Sequence, residues 1–316
     1  MTRPTLLALV ATLAIAPLGT PALVAQSRAP LIGRWDMTVT VPGRHTSAWL
    51  EVRHSGRSML VGQVMLLAGS ARPIAKVEFA ATTGEFRFVI PPQWNDAEGD
   101  NTFTGRVVGD SISGTVTFGS GRSLAFRGVR APSLRRTTPV VWGAPIALLG
   151  GTTLTEWKPL GESPSQWTLA QGILRNAKAG ADLVTTRAFG DFKLHVEFRY
   201  PPGSNSGVYL RGRYEVQIED TPGAEPEIDG LGAIYGMITP NQNAAKKPGE
   251  WQSFDITLVG RTVTVVLNGK TIICEREIPG FTGGALDADE AKPGPLYLQG
   301  DHGVIEYRRI IITPAK

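Results

Sequence analysis

The residues best suited to chemistry lie between Asn205 and Asp220, in the segment NSGVYLRGRYEVQIED. Polar side chains recur there at every second position, and successive side chains of a β-strand point to opposite faces. Glu215, Gln217 and Glu219 therefore share one face of a predicted strand, and the apolar residues between them share the other. An antiparallel strand that only faces water shows the same alternation, so this pattern has an ordinary structural interpretation as well.

The first half of the segment alternates in the same way. Tyr209 and Arg211 alternate with apolar residues, and the step Gly212-Arg213 predicts a tight turn or bulge before the second strand. The two strands would then present an aromatic ring, a guanidinium, a carboxylate and an amide together. Such groups stack on sugar rings and bind hydroxyls, whereas a strand that is only solvated prefers Lys, Thr and Glu.

The elements that position this face belong to the second of two predicted domains, since 316 residues suffice for two. From Ile146 to the C-terminus the chain reads as about a dozen short strands, which predicts two packed sheets in a sandwich or jelly roll. Asn268-Gly269, between VTVVL and KTIIC, is the strongest hairpin signal in the chain. Residues 220–250 form one long predicted loop, and loops of that length are usually functional rims or lids.

The first domain, residues 31–130, reads as about eight short strands with hairpin-length connections. This spacing predicts an up-and-down barrel that leaves no free edge. Gly33-Arg34-Trp35 at its start and Arg127 near its end resemble the G-x-W opening and late arginine of lipocalin-type barrels. We expect a filled barrel core and an accessory or structural role. Residues 131–145, with three prolines and no periodicity, predict a linker.

The N-terminus predicts export. A short basic start, an apolar block from Leu6 to Leu18 and small residues up to Ala25 are typical of a signal peptide over residues 1–25. The apolar block is too short to span a bilayer comfortably, so we expect no membrane span. The only cysteine, Cys274, excludes an intrachain disulfide and is predicted to be a buried core residue. A bacterial periplasm or exterior is the expected location.

The charge distribution argues against nucleic-acid binding. The chain carries a formal net charge of +4, but residues 31–130 hold 11 Lys and Arg against 8 Asp and Glu, whereas residues 146–316 hold 17 against 20. The half that bears the candidate chemistry is therefore slightly acidic. No stripe of basic and aromatic residues is present, so we expect no nucleic-acid partner.

Landmarks along the second domain resemble a known family. They are LTEW at 154–157, GDFKLHVEFR at 190–199, NSGVYLRG at 205–212, YEVQIED at 214–220, GAIYG at 232–236, KPGEW at 247–251, LNGK at 267–270 and LQGDHGVIEYRRI at 298–310. Together they resemble the family long called DUF1080, which is associated with 3-keto-disaccharide (3-keto-glycoside) hydrolases. The resemblance implies a concanavalin A-like jelly-roll β-sandwich over about 146–312. Residues 26–145 lie outside it.

The resemblance also implies a reaction. The carbonyl of a 3-keto sugar acidifies the neighbouring C2 proton, so the C1 substituent can leave by elimination and water can add back afterwards. This chemistry needs a base near C2, a stabiliser for the enolate oxygen and an acid for the departing group. It does not need the two flanking carboxylates of an ordinary glycosidase, although Glu215 and Asp220 also fit that interpretation.

Four residues are the catalytic candidates. Glu215 is a candidate base or metal ligand, and its ordinary interpretation is an ion pair with Arg211. Arg211 is a candidate for holding sugar hydroxyls or the enolate. His302 follows a strand end in the LQGDHG segment and is a candidate acid, base or metal ligand; its ordinary interpretation is a surface hairpin histidine. Asp220 completes the set.

The expected partner is a carbohydrate, and the candidate sugar-binding residues are Asn205, Tyr209, Gln217, Tyr235 and Gln299. Asn205 has a second interpretation as a turn former. Trp251 is a further stacking candidate for which core packing is the alternative, and His195 is interpreted as structural.

No tight ligand spacing such as H-E-x-x-H occurs, so no metal site is predicted, although Glu215, Asp220 and His302 leave a divalent ion open. Two competing functions remain: a non-catalytic carbohydrate-binding module, and a cell-surface interaction protein.

Overall fold

The computed structural model of the protein describes residues 29–67, 69–92 and 99–316. Every named element in these ranges is a β-strand, as the sequence predicts. No helix among the described residues is long and apolar enough to cross a bilayer. The signal peptide predicted for residues 1–25 lies outside the described residues.

The first eight strands close into a barrel in which each strand pairs antiparallel with the next. They are β1 (Gly33–Val41), β2 (Arg44–Ser55), β3 (Met59–Leu66), β4 (Arg72–Ala80), β5 (Glu85–Ile90), β6 (Asn101–Val108), β7 (Ser111–Thr117) and β8 (Ser123–Arg130). Inward-facing apolar residues form one cluster, in which Phe88 and Phe103 stack with their centroids 4.5 Å apart. This confirms the predicted eight-stranded up-and-down barrel, and side chains fill its interior.

Thirteen further strands form a two-sheet sandwich. They are β9 (Ile146–Leu149), β10 (Trp157–Leu160), β11 (Trp167–Ala170), β12 (Ile173–Asn176), β13 (Asp182–Thr185), β14 (Phe192–Arg199), β15 (Asn205–Leu210), β16 (Tyr214–Glu219), β17 (Gln252–Val259), β18 (Thr262–Leu267), β19 (Lys270–Glu277), β20 (Tyr297–Leu298) and β21 (Ile305–Pro314). One sheet has the order β10-β13-β20-β15-β16. The other has the order β11-β12-β21-β14-β17-β18-β19, with β9 paired to β21. The all-β barrel and jelly-roll prediction is thus confirmed.

Alternation in the sequence decides which face of each sheet is packed. Val216 and Ile218 of β16 are fully buried in the core between the sheets, and Glu215 and Gln217 point to the opposite face. The hairpin predicted at Asn268-Gly269 joins β18 to β19, and both residues have positive φ angles of 51° and 79°.

The barrel packs directly against the sandwich. Outward-facing Trp49 of β2 and Met65 of β3 belong to the sandwich core and are 0% exposed. Four successive residues of β2, Ser47 to Leu50, are buried, because barrel residues cover one face of the strand and the sandwich covers the other. Burial therefore does not alternate at this point, although the backbone is regular.

Cys274 is exposed, so the prediction of a buried core cysteine is wrong. The cause is an irregularity in the register between β18 and β19. Ile273 pairs with Val265 and Thr271 pairs with Val266, so Ile272 is an extra residue on β19. Ile272 and Ile273 are both buried as a result, and Cys274 turns outward.

Candidate functional site

The candidate site lies on the face of the five-stranded sheet that is turned away from the sandwich core, here called the site face. Two rows of side chains cross it. In the first row, Tyr209 of β15 pairs with Glu215 of β16 on one side and with Tyr297 of β20 on the other. In the second row, Gly207 pairs with Gln217 and accepts a 3.0 Å backbone hydrogen bond from Gln299.

Two stacked tyrosines form the floor of the first row. The rings of Tyr209 and Tyr297 lie 4.2 Å apart and within 14° of parallel. The Tyr297 hydroxyl donates to Asp182 Oδ2 at 3.0 Å, and the backbone N–H of Gly300 donates to Asp182 Oδ1 at 2.7 Å. Burial raises the pKa of both tyrosines and of Asp182. This network fixes the position of the floor before any ligand binds.

Glu215 is buried at the centre of the site face, with 3% of the residue exposed, and burial raises its pKa to about 8. Its Oε2 lies 2.8 Å from the Tyr209 hydroxyl, which also lies 2.9 Å from the carbonyl oxygen of Gly283. A phenol has one proton and donates to only one of these oxygens. If Glu215 is protonated, its O–H donates to Tyr209 while Tyr209 donates to Gly283. A pKa of about 8 favours this protonated arrangement at neutral pH.

Gly207 makes room for this carboxyl group. A Cβ atom built at Gly207 would lie 2.3 Å from Glu215 Oε1 and 2.9 Å from its Cγ, so the Glu215 side chain would have to shift. The backbone conformation of Gly207 is ordinary, so the glycine is required for space and not for a special φ angle. The glycine of the NSG segment thus lets Glu215 lie across β15.

His302 and Asp301 follow β20 at the rim of the site face, and about half of each side chain is exposed. His302 Nδ1 is hydrogen-bonded to Asp301 Oδ1, and this bond raises the pKa of His302. Glu215 and Asp182 also interact electrostatically with the imidazole. Because Asp301 engages Nδ1, Nε2 is the ring nitrogen left for proton transfer.

Two amide oxygens on the site face lack partners. Gln217 and Gln299 are 3% and 8% exposed, and the Oε1 atom of each is buried without a hydrogen-bond partner. A buried polar atom without a partner costs about 1–3 kcal/mol, so such atoms are rare unless a ligand satisfies them. Gln217 pairs with Gly207 on one side and Gln299 bonds to it on the other, so the two amides lie on either side of the position that Glu215 covers.

The long predicted loop is fixed against this site in part. No named strand occurs in it, but Gly232 and Ala233 exchange backbone hydrogen bonds with Gln217, and the Tyr235 N–H donates to the Glu215 carbonyl at 3.1 Å. Burial and the charge of Glu215 raise the pKa of the Tyr235 phenol. The loop therefore extends the edge beside β16 and brings Tyr235 to the site.

Asp220 and Asn205 lie at the far end of the same two strands. Asn205 opens β15 opposite Glu219. Asp220 follows β16, and its Oδ2 accepts a 2.8 Å hydrogen bond from the backbone N–H of Gly203, while its Oδ1 is buried without a partner. Asp220 thus holds a turn at the edge of the site, away from Glu215.

Arg211 does not lie on the site face with Glu215 and Tyr209. It occupies the turn between β15 and β16 with a positive φ of 53°, so its side chain leaves the alternation of the strand. Its guanidinium donates to the Tyr214 hydroxyl at 3.0 Å and to the Glu290 carbonyl at 3.1 Å, on the side of the barrel. The ion pair between Arg211 and Glu215 that the sequence also suggests is not formed.

Trp251 and His195 lie on the other sheet. The guanidinium groups of Arg199 and Arg308 lie 4.7 and 4.4 Å from the Trp251 ring centre, on strands β14 and β21. Trp251 is therefore neither a sugar platform of the site face nor a core residue. His195 contacts Asp255 and Glu197, which agrees with its structural interpretation.

No group of three or more His, Cys, Asp or Glu side chains in the described ranges is arranged to hold a metal ion. Glu215, Asp220 and His302, the trio considered from the sequence, are thus not brought together as such a group.

Sequence reasoning missed Asp182, Tyr297, Asp301 and the residues that hold Glu215 from the opposite side. Asp182 and Tyr297 lie on short strands without alternation, since Leu183 to Thr185 are all buried and β20 has only two residues, so the pattern gave no signal for either side chain. Asp301 directly precedes His302, which is itself a signal for a paired imidazole. Thr282, whose hydroxyl accepts from the Glu215 N–H at 3.0 Å, carries no local signal.

Comparison with known proteins identifies the family of the second domain. Residues 144–313 match the family described as a 3-keto-alpha-glucoside-1,2-lyase-like domain, and this segment is more than half of the chain. The chain belongs to this family. All residues of the site face lie inside the matched segment, and the barrel lies outside it.

Individual relatives cover the same region. A 3-keto-disaccharide hydrolase from Bacteroides thetaiotaomicron is 25% identical over 166 residues, which cover 40% of this chain and 57% of the relative. A candidate glycosyl hydrolase from Parabacteroides distasonis is 27% identical with a TM-score of 0.44 and covers 56% of this chain and 92% of that chain. The carbohydrate-binding module CBM66 from Bacillus subtilis is 9% identical with a TM-score of 0.35, over 50% of this chain and 96% of that chain.

Proposed function

We propose that the protein cleaves the glycosidic bond of 3-keto-glycosides at the site face, by elimination followed by hydration. Family membership and the name of the Bacteroides relative support the substrate class. The observation that carries the proposal is Glu215, a buried carboxyl group with a pKa raised to about 8, next to two partnerless amide oxygens. Glu215 can supply the proton that the departing glycosidic oxygen needs, and the two amide oxygens can accept hydrogen bonds from sugar hydroxyls.

The reaction begins with loss of the C2 proton, which is acidic because C3 is a carbonyl. The C2–H electron pair forms the C1=C2 double bond, and the C1–O bond breaks with its electron pair on the departing oxygen. That oxygen takes one proton. Water then adds to C1 while C2 regains a proton, so the net change is hydrolysis.

His302 is our candidate for the base. A general base works best when its pKa lies near the operating pH, and hydrogen bonding to Asp301 raises the pKa of His302 from its ordinary 6.5. Asp301 also fixes the tautomer, because it engages Nδ1 and leaves Nε2 to take the proton. The sequence interpretation of His302 as an acid, base or metal ligand narrows here to a base.

Glu215 is our candidate for the acid. A carboxyl group with a pKa of about 8 carries its proton at neutral pH and donates it to the departing oxygen. This acid role differs from the base or metal-ligand role considered from the sequence, and the raised pKa of Glu215 favours it. The amide oxygens of Gln217 and Gln299 accept from sugar hydroxyls, and Tyr235 beside β16 and Asn205 at the start of β15 are further candidates for contact with the sugar.

The test is a panel of 3-keto-glycosides with release of the aglycone as the readout. Wild type is compared with Glu215→Gln and His302→Ala. His195→Ala is the matched control, because His195 is also a part-exposed histidine bonded to a carboxylate, but on the other sheet. We expect a loss of at least about 100-fold in kcat for the two site variants and less than about twofold for the control.

The competing function, a carbohydrate-binding module, gives a different result. A binding module would bind 3-keto sugars without releasing aglycone, and Glu215→Gln would retain binding. Turnover by the wild type rules this out, and its absence with every substrate of the panel would refute the enzyme.

We further propose that the protein acts outside the cytoplasm. The support is the sequence of residues 1–25 alone, with its basic start, apolar block and small residues before Gln26. Cell fractionation of the producing bacterium, with a cytoplasmic marker as reference, tests this.

A further inference from the structure

One loop connects the barrel to the candidate site. Residues 279–286, called here the bridging loop, run between the outer wall of the barrel and the site face. Their contacts alternate in space: the first three residues contact the barrel, the next three contact Tyr209 and Glu215, and Ala285 returns to the barrel. The barrel lies outside the family match, so nothing in that match gives it a role.

The contacts to the barrel come from two strands, β1 and β2. The Trp49 indole N–H donates to the Phe281 carbonyl at 2.8 Å, and the Ser47 hydroxyl donates to the Ala285 carbonyl at 2.7 Å. Arg34 donates to the Pro279 carbonyl at 2.6 Å. Three backbone carbonyls of the bridging loop are therefore held by barrel side chains.

The fit against Trp49 is close. A Cβ atom built at Gly280 would lie 2.4 Å from the Trp49 ring, so only glycine lets the loop lie flat on the indole. Trp49 is 0% exposed, because the loop and the sandwich core cover its outer side.

The same loop makes the contacts that hold Glu215. The Thr282 hydroxyl accepts from the Glu215 backbone N–H at 3.0 Å, and the Gly283 carbonyl accepts from the Tyr209 hydroxyl at 2.9 Å. A Cβ atom at Gly284 would lie 2.7 Å from that hydroxyl, so the loop backbone closes the space behind Tyr209. The bridging loop is thus the wall that keeps water from Glu215 on this side.

We infer that the barrel is a positioning element of the site: Trp49 and Ser47 hold the bridging loop against Tyr209 and Glu215, and so set the protonation and orientation of Glu215. This inference gives the accessory barrel a function within the proposed reaction. The predicted change in activity rests on the proposed function. The predicted change in the titration of Glu215 does not.

Trp49→Phe is the central variant, because it removes the N–H donor and keeps an aromatic ring. Trp35→Phe is the matched control. Trp35 is likewise 0% exposed, and its indole N–H donates to a backbone carbonyl, that of Leu31, at 2.9 Å. It lies inside the barrel and does not contact the bridging loop. Any effect of lower barrel stability alone should therefore be common to both variants.

The first readout is the titration of Glu215, followed by NMR of protein labelled with ¹³C at glutamate carboxyl groups. The Glu215 signal is assigned as the one absent from Glu215→Gln. We expect its pKa to fall towards the ordinary carboxyl range in Trp49→Phe, because a released loop admits water, and to stay unchanged in Trp35→Phe.

The other groups that act on Glu215 are unaltered in both tryptophan variants. They are Tyr209 in direct contact, His302, Asp301 and Asp182 at longer range, and Tyr235 against its backbone, all of which lie outside the bridging loop. A difference between the two variants therefore reports the loop.

Gly280→Ala is a second variant that displaces the loop without changing any barrel residue. It should lower the pKa of Glu215 as Trp49→Phe does. The second readout is turnover of a 3-keto-glycoside, where both loop variants should lose about tenfold or more in kcat with a smaller change in KM.

An unchanged Glu215 titration in both Trp49→Phe and Gly280→Ala would overturn the inference. An equal shift of the Glu215 pKa in Trp35→Phe would also overturn it. If the wild type fails to cleave any 3-keto-glycoside, the proposed function fails, but the titration still decides whether the barrel positions Glu215.

Discussion

Replacing Glu215 with glutamine isolates the free energy of its buried proton. Glutamine has nearly the same size, and its amide N–H₂ can donate to Tyr209 as the protonated carboxyl does. Glu215→Gln therefore imitates the protonated state at every pH. The wild type must give up the proton at high pH, and the variant has no such proton to lose.

The direction in which stability changes with pH follows from the direction of the pKa shift. Burial raises the pKa of Glu215 from 4.5 to about 8, so between these values the folded protein holds a proton that the unfolded chain has released. The stabilisation that this proton provides is fully present below pH 4.5 and is lost as the pH rises through 8. At about 1.4 kcal/mol for each pKa unit, the full shift corresponds to about 5 kcal/mol, of which about 4 kcal/mol is lost between about pH 5 and about pH 9.

The assay is urea unfolding of the wild type and Glu215→Gln at several values from about pH 5 to about pH 9, followed by tryptophan fluorescence. The difference between the two proteins matters, because Asp36, whose pKa burial raises to about 6, contributes a change of the same sign to both. Between about pH 5 and about pH 9 we expect the free energy of unfolding of Glu215→Gln to rise relative to that of the wild type by about 4 kcal/mol.

Glu225→Gln, at an exposed loop position, controls for the loss of a carboxylate. Its free energy of unfolding should change with pH in the same way as that of the wild type. If the curves for Glu215→Gln and the wild type also stay parallel, Glu215 does not hold a proton in the folded protein and the reasoning about the site is refuted.

Three further predictions concern activity on a 3-keto-glycoside. Gly207→Ala should lower kcat by about tenfold or more and reduce stability by about 1–3 kcal/mol, since its Cβ would displace Glu215; kinetics and thermal unfolding check this, and normal activity would contradict it. Asp301→Asn should lower the pKa of His302 and move the acidic limb of the pH–rate profile to lower pH, with kcat reduced about tenfold; an NMR titration of the imidazole that matches the wild type would oppose this. Trp251→Leu should keep kcat/KM within about twofold, because Trp251 lies on the other sheet, and a larger loss would reopen its role as a sugar platform.

Local patterns in the sequence predicted the strands and the face of each strand. Alternation in YEVQIE placed Glu215 and Gln217 opposite Val216 and Ile218, and the Asn268-Gly269 turn followed from its positive φ angles. Alternation failed where the backbone departs from a regular strand. Arg211 lies in a left-handed turn and Cys274 follows an extra residue on its strand, so both side chains point away from the predicted side.

Contacts between distant segments were not predictable. The bonds of Trp49 to Phe281 and of Ser47 to Ala285 join residues 232 and 238 positions apart. No periodicity or turn signal encodes such a pairing, because it depends on how the finished barrel packs on the finished sandwich. The raised pKa of Glu215 has the same origin, since it follows from burial among residues of several elements.

The most direct test of the central claim is cleavage of a 3-keto-glycoside in D₂O, with the isotope at C2 of the released 3-keto sugar measured by NMR at early times. Exchange without enzyme and with Glu215→Gln gives the background. Elimination and hydration predict solvent deuterium at C2 above that background, because the C2 proton taken by the half-exposed His302 exchanges with solvent before a proton is returned to C2. Cleavage with no deuterium at C2 above the background would contradict the account.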